Sequence, residues 1–264
     1  MATIHPTAIV EEGAHLADDV VIGAYAFVSA KTTLKSGVEV MQGAQIYGST
    51  KVGEDTKIYP YAIVGMPPQD ISYKAEDDVH VEIGRNNTIR EFVTINAGTR
   101  NGGGMTKIGD NCFIMIYCHI AHDCQVGNNV IMANNATLAG HVHIGSFTVI
   151  GGMTPIHQFV HVGEGVMIGG ASAVSQDIPP FCLAEGNRAV IRGLNSVGLK
   201  RRFAKEDIVA IQTAYKALFR GENAVKETAA SLLTSDVNAK VAQMCHFIME
   251  SKRGIPFERK NNGQ

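Results

Sequence analysis

The stretch His119-Ile120-Ala121-His122-Asp123-Cys124 puts two imidazoles, a carboxylate and a thiol within six residues. Three kinds of chemistry suit such a set. Histidine nitrogens, with or without thiolate or carboxylate, can hold a metal such as zinc. A histidine beside a carboxylate can act as a general base on a hydroxyl or amine, the carboxylate orienting the ring and stabilising its protonated form. Turn histidines can also bond backbone carbonyls and serve structure alone. His122-Asp123 fits the second reading, although adjacency in sequence does not guarantee the contact.

The whole chain narrows the setting. It has 264 residues and a formal net charge of −2, which does not point to a nucleic-acid binder. Mean hydropathy is near zero, and no apolar run of about 18 residues is present to insert in a membrane. The start, MATIHPTAIV, has neither the basic nor the apolar region of an export signal, so a cytoplasmic location is expected. Five cysteines, an odd number, argue against a disulfide framework.

An internal repeat explains how these residues are positioned. Every sixth residue from Ile4 to Val64 is a branched aliphatic: Ile4, Val10, Leu16, Ile22, Val28, Leu34, Val40, Ile46, Val52, Ile58 and Val64. The beat resumes at Ile83, Ile89 and Ile95, then runs from Ile108 to Val174, with Met132 the one departure from Ile, Leu or Val. Four residues after each aliphatic stands a mostly small or β-branched residue, and Cys112, Cys118 and Cys124 occupy that place. They are expected to be small core residues. The pattern resembles the hexapeptide repeat of the left-handed parallel β-helix. There each hexapeptide makes one side of a triangular coil, and residues 18 apart stack about 4.8 Å from one another.

The expected organisation is a mainly β chain: a left-handed parallel β-helix over 1–190 and a C-terminal α-helical domain over 191–264. Two gaps in the beat predict loops near 70–82 and 101–107. At Asp177-Ile178-Pro179-Pro180 the repeat is expected to stop, because proline cannot continue a ladder. Helices are predicted over 205–221, 223–234 and 237–251, covering the open end of the prism, and the final ERKNNGQ is expected to fray.

The repeat also assigns sides. With both gaps taken as loops, Val64, Ile95, Ile120, Leu138, Ile156 and Val174 stack on one side. His119, His122, His141 and His157 then collect on three adjacent coils, with Gln69, Asp70 and Asn96 on the coils before them. The metal, base and structural readings all stay open on these grounds.

Four ordered motifs carry a closer resemblance. They are HIAHDCQVGNNVIMANNATLAGHV (119–142), GGMTPIHQF (151–159), PPQDISY (67–73) and GLKRR (198–202). Together they resemble the acyl-carrier-protein–UDP-N-acetylglucosamine O-acyltransferases of lipid A biosynthesis, over essentially the entire chain. The resemblance implies a homotrimer with active sites between neighbouring prisms. It implies transfer of a 3-hydroxyacyl chain from acyl carrier protein to the glucosamine 3-position of the UDP-sugar, with no metal or cofactor beyond the carrier's phosphopantetheine.

By the same resemblance His122 is the base, Asp123 its orienting partner and the Gly140 N–H an oxyanion donor. His119, His141 and His157 match residues that line the site, and Gln69 and Asp70 match sugar–nucleotide contacts. Asn195 and Arg201 match positions for acyl and phosphate groups, and Gly170 the far end of an open acyl groove. The basic run Lys200-Arg201-Arg202 suits a strongly acidic carrier protein. Asn96-Ala97-Gly98 departs from the family's frequent His-Arg-Gly, which raises a 3-amino sugar as acceptor. The competing expectations are another hexapeptide-repeat enzyme, acyl-CoA-dependent or zinc carbonic anhydrase-like, and a scaffold without catalysis.

Overall fold

Each hexapeptide contributes a strand of about two residues whose second member points inward. In the computed structural model, which describes residues 1–258, these strands form one eleven-stranded and two eight-stranded sheets. Residues 18 apart pair in parallel register, as in Ile4 with Ile22, Val10 with Val28 and Leu16 with Leu34. The three sheets are the sides of a left-handed parallel β-helix. From Ile22 onward the repeating aliphatics are buried. Full burial of each such side chain stabilises by about 1.5–3 kcal/mol, and the stack of three ladders is the core.

The corners between sheets need a left-handed backbone. Asn86, Asn111, Asn129 and Asn135 supply it with φ between 55° and 61°, as asparagine tolerates. Cys112, Cys118 and Cys124 are buried just past such corners, and each thiol donates to a carbonyl of the next coil at 3.1–3.2 Å. Burial pushes the first two thiols up to about 11 and the third to about 12. None is a ready thiolate.

Both loops sit slightly earlier than the gaps in the beat suggest. The strand before Ile83 starts at His80, so the first excursion is 67–79 rather than 70–82. The strand before Ile108 starts at Met105, so the second is 97–104 rather than 101–107. Here the strands are four residues long, because Val81 and Thr106 also point inward and pair with one another. The repeat does not stop at the prolines either. Ile178 still pairs with Val162, and Cys182–Glu185 pairs with Met167–Ile168. Pro179 and Pro180 occupy the corner between those two partners, where no ladder N–H is required.

Cys182–Glu185 then turns back antiparallel onto Val190–Leu194, so residue 190 opens a strand of the first sheet. The helices follow: α1 (Ser196–Arg202), α2 (Lys205–Arg220), α3 (Val225–Leu233) and α4 (Ala239–Glu250). They dock on the last coils. Arg202 lies over Phe147 and Phe203 at 4.5 and 4.8 Å and reaches Glu164 at 3.4 Å. Gln243 also bonds Glu164, and Ser251 bonds buried Asp177. Of the terminal segment expected to fray, residues 259–264 lie outside the described residues.

Candidate active site

The site grows from one corner of the prism, where the chain leaves the second sheet for the third. The strand His119–Ile120 points Ile120 inward, and the turn that follows carries His122 and Asp123, the latter at φ 59°. One coil on, Thr137–Leu138 pairs with that strand, which places Gly140 and His141 over His122 and Asp123. The His141 N–H donates to the His122 carbonyl at 3.0 Å, holding the two corners in register.

Adjacency does become contact. His122 Nδ1 lies 2.8 Å from Asp123 Oδ2. Asp123 is 3% exposed, so the charge of its carboxylate must be met by donors. Thr99 supplies two: its N–H donates to Oδ1 at 2.9 Å and its hydroxyl to Oδ2 at 2.7 Å. An ionised carboxylate only accepts, so His122 carries its proton on Nδ1. Nε2 is left with a free lone pair, the form a general base needs.

The surrounding groups refine this dyad. A Cβ on Gly140 would stand 2.4 Å from His122 Cε1, so only glycine lets the imidazole lie there. Gly140 is buried, and among the described residues nothing accepts its N–H. The equivalent N–H groups of Asp110 and Asn128 are capped by Asn128 and Ser146, whereas those of His122, Asn134 and Gly152 have, like that of Gly140, no acceptor among the described residues. His141 stands edge-on to His122, ring centres 5.1 Å apart, and stacks on Phe159 at 4.4 Å. Its Nε2 is 3.7 Å from Asp123 Oδ2. His119 shares a 2.7 Å hydrogen bond with Thr94. Burial, and then the charge of His122, hold its ring below the ordinary histidine range.

The first excursion closes over this corner. Asp70 accepts from the Ser72 hydroxyl and N–H, which hold its carboxyl below the usual range, and His122 and His141 add to the effect. Gln69 is exposed beside it. Asn96 is buried and fastens the excursion by donating to the Pro67 carbonyl at 2.7 Å, while its Oδ1 has no partner among the described residues. Ser72, Tyr73, Lys74, Asp77, Thr99 and Arg100 border a polar cleft of about 270 Å³ next to the Asp123 clamp.

Not every expected residue joins this cluster. His157 is exposed one coil beyond His141 and bonds the neighbouring Gln158 carbonyl. Gly170 lies at a different corner, between the first and second sheets; a Cβ there would meet Gly152 at ordinary contact distance. Asn195 caps α1 by accepting from the Gly198 N–H, and it donates to the Gly165 carbonyl at the third corner. Arg201 is exposed on α1. Thr99 and Phe159 are neighbours of this cluster to which the sequence reading assigned no role, although the motif GGMTPIHQF ends on Phe159. Phe159 follows His141 by 18, so the stacking rule reaches it; Thr99 sits inside an excursion, where no periodicity applies.

Relatives cover the whole chain. The acyl-carrier-protein–UDP-N-acetylglucosamine O-acyltransferase of Campylobacter lari is 60% identical over 264 residues, covering all of both chains. This chain belongs to that family. The O-acyltransferase of Campylobacter concisus is 56% identical over 98% of this chain and 99% of its own. The solved UDP-N-acetylglucosamine acyltransferase of Campylobacter jejuni superposes with a TM-score of 0.93 at 60% identity, covering 97% of this chain and all of that one. The Francisella novicida enzyme, 34% identical, superposes equally well, at 0.93 over 98% and 95% of the two chains. Two family models agree: the six-repeat bacterial transferase hexapeptide over 105–140, and domain 2 of UDP-N-acetylglucosamine O-acyltransferase over 177–256. Membership therefore extends through the helical tail.

Proposed function

We propose that this chain catalyses the first step of lipid A biosynthesis in the cytoplasm, moving a 3-hydroxyacyl group from acyl carrier protein to the glucosamine 3-position of UDP-N-acetylglucosamine. The observation that carries the mechanism is the dyad: Asp123 receives the Nδ1 proton of His122, and Nε2 is free. His122 Nε2 takes the proton of the acceptor as the acceptor attacks the thioester carbonyl. A C–O bond forms, the C–S bond breaks, and the protonated imidazole returns a proton to the departing phosphopantetheine thiolate. The Gly140 N–H stabilises the oxyanion between these steps. Asp123 supports the imidazolium without being protonated itself.

The remaining roles follow from position. His119, His141, Gln69, Asp70 and Asn96 border the acceptor, and His157 extends that border. Gly170 leaves the acyl groove open, and Asn195 and Arg201 meet acyl and phosphate groups. These last three stand away from the histidines within one chain, so a homotrimer with sites between prisms brings them together. Neither metal nor a further cofactor takes part.

A 3-amino sugar is the second reading of the acceptor. The buried Asn96 Oδ1, lacking a partner among the described residues, is an acceptor suited to an extra N–H. Purified protein, chelator and 3-hydroxyacyl-carrier protein, offered UDP-N-acetylglucosamine and its 3-amino analogue in competition, test both. Mass spectrometry is expected to show an acylated UDP-sugar, an ester or an amide according to the acceptor preferred. Acylation of neither sugar overturns the reading.

A further inference from the structure

The dyad and His141 form one more arrangement that the acyl-transfer reading does not use. His122, Asp123 and His141 each offer a ligand atom, and these atoms lie within 4.8 Å of one another. Asp123 Oδ2 is 2.8 Å from His122 Nδ1 and 3.7 Å from His141 Nε2. A tetrahedral ion with histidine nitrogens at about 2.0–2.1 Å needs donors about 3.4 Å apart. The two separations from Asp123 Oδ2 lie on either side of that spacing.

The supports of a metal site are present too. Ligating carboxylates and imidazoles are normally held by further partners. Here Thr99 grips the carboxylate with two hydrogen bonds, and Phe159 stacks on the His141 ring at 4.4 Å. Two imidazoles and a carboxylate form a donor set suited to zinc and related ions.

The other candidate cluster lacks these features. His143 and His161 stack face to face at 4.4 Å on the third sheet, and no third ligand joins them in a metal-sized group among the described residues.

We infer that the His122–Asp123–His141 corner is an inhibitory site for a zinc-class divalent ion. The inhibition, though not the binding, rests on the acyl-transfer reading. A neutral imidazole has one N–H. An ion on His122 Nδ1 takes the position of that proton, which moves through solvent to Nε2. A protonated Nε2 cannot accept the proton of an incoming hydroxyl or amine. The ion therefore switches off the base by reversing its tautomer, and a chelator restores it.

Co²⁺ alone, added to metal-free full-length protein, reports the site by its visible ligand-field absorption, and Zn²⁺ then displaces it. One ion per chain is expected, with the band lost in His141→Ala and in Asp123→Asn and kept in His143→Ala and His161→Ala. Melting temperatures of all four variants establish that each is folded. In the transfer assay Zn²⁺ is expected to lower kcat at least tenfold, and chelator to reverse the loss. A band that survives His141→Ala and Asp123→Asn in folded protein, or one that disappears in His143→Ala or His161→Ala, overturns the site. So does the lack of any band. Transfer indifferent to bound Zn²⁺ overturns the inhibition and leaves the acyl-transfer reading standing. Metal bound at this corner in a protein that acylates neither sugar does the reverse, sinking the acyl-transfer reading while the site stands.

Discussion

Asp123 accepts from His122 and twice from Thr99 while almost wholly buried. Hydrogen bonds to a charged group are worth about 1.5–3 kcal/mol, so Thr99→Val removes one strong tether from the carboxylate that orients the proposed base. The expected outcome is a kcat roughly 10–100-fold lower with KM little changed, measured by steady-state transfer assays. A drop confined to KM would make Thr99 a substrate contact instead. The histidines of this corner were legible from the six-residue beat alone, because an 18-residue coil stacks Asp123, His141 and Phe159, with His122 one place before Asp123 at the same turn. Thr99 was not, since 24 residues of loop and strand separate it from Asp123 and no period links them.

A second residue-scale expectation concerns pH. Burial, then His161 and His141, hold the His143 ring below the ordinary value of 6.5. The unfolded chain therefore takes this proton at a higher pH than the native one. The stability His143 contributes is complete above about 6.5 and is lost as pH falls through its lower native value. His143→Gln should flatten the fall of Tm between about pH 7.5 and 5.5, as scanning calorimetry would show. An unchanged slope would place the acid sensitivity elsewhere.

At the scale of elements, the geometry of the proposed catalytic site comes from a corner rather than a strand or helix. Corners stack because the ladders on either side do, so side chains at equivalent turns lie one above another. Gly140 is where that stacking is tightest. Gly140→Ala would drive a methyl into the His122 ring, 2.4 Å from Cε1. A displacement near 1 Å at a reacting group can cost about 100-fold. Kinetics of Gly140→Ala should show a loss of that order with the β-helix intact by circular dichroism, whereas near-normal turnover would mean His122 has room to spare. The elements themselves were largely evident from the beat. Its errors came where geometry departs from two-residue strands: the longer strands at His80–Ile83 and Met105–Ile108, and the prolines, which occupy a corner and leave the ladder unbroken.

At the scale of the molecule, the chain keeps its proposed functional residues on three separate edges. The histidines occupy one corner, Gly170 another, and Asn195 bonds to the third. Rotational symmetry about a three-fold axis brings unlike corners of neighbouring prisms together, which a single prism cannot do for itself. Three chains of 28.3 kDa should elute with a light-scattering mass of about 85 kDa. A monomer with full activity would contradict the shared site. Sequence periodicity describes one prism and is silent on how prisms associate, so the expectation of a trimer comes only from the family resemblance.

The central claim is that His122 Nε2 is the base for acyl transfer, and the direct measurement is a single-turnover transfer assay in chelator comparing the native protein with His122→Ala. General-base catalysis contributes about 10²–10⁴-fold, so His122→Ala should lose rate in that range while its melting temperature stays close to native. A His122→Ala protein that folds normally and transfers within a few-fold of the native rate would contradict the account.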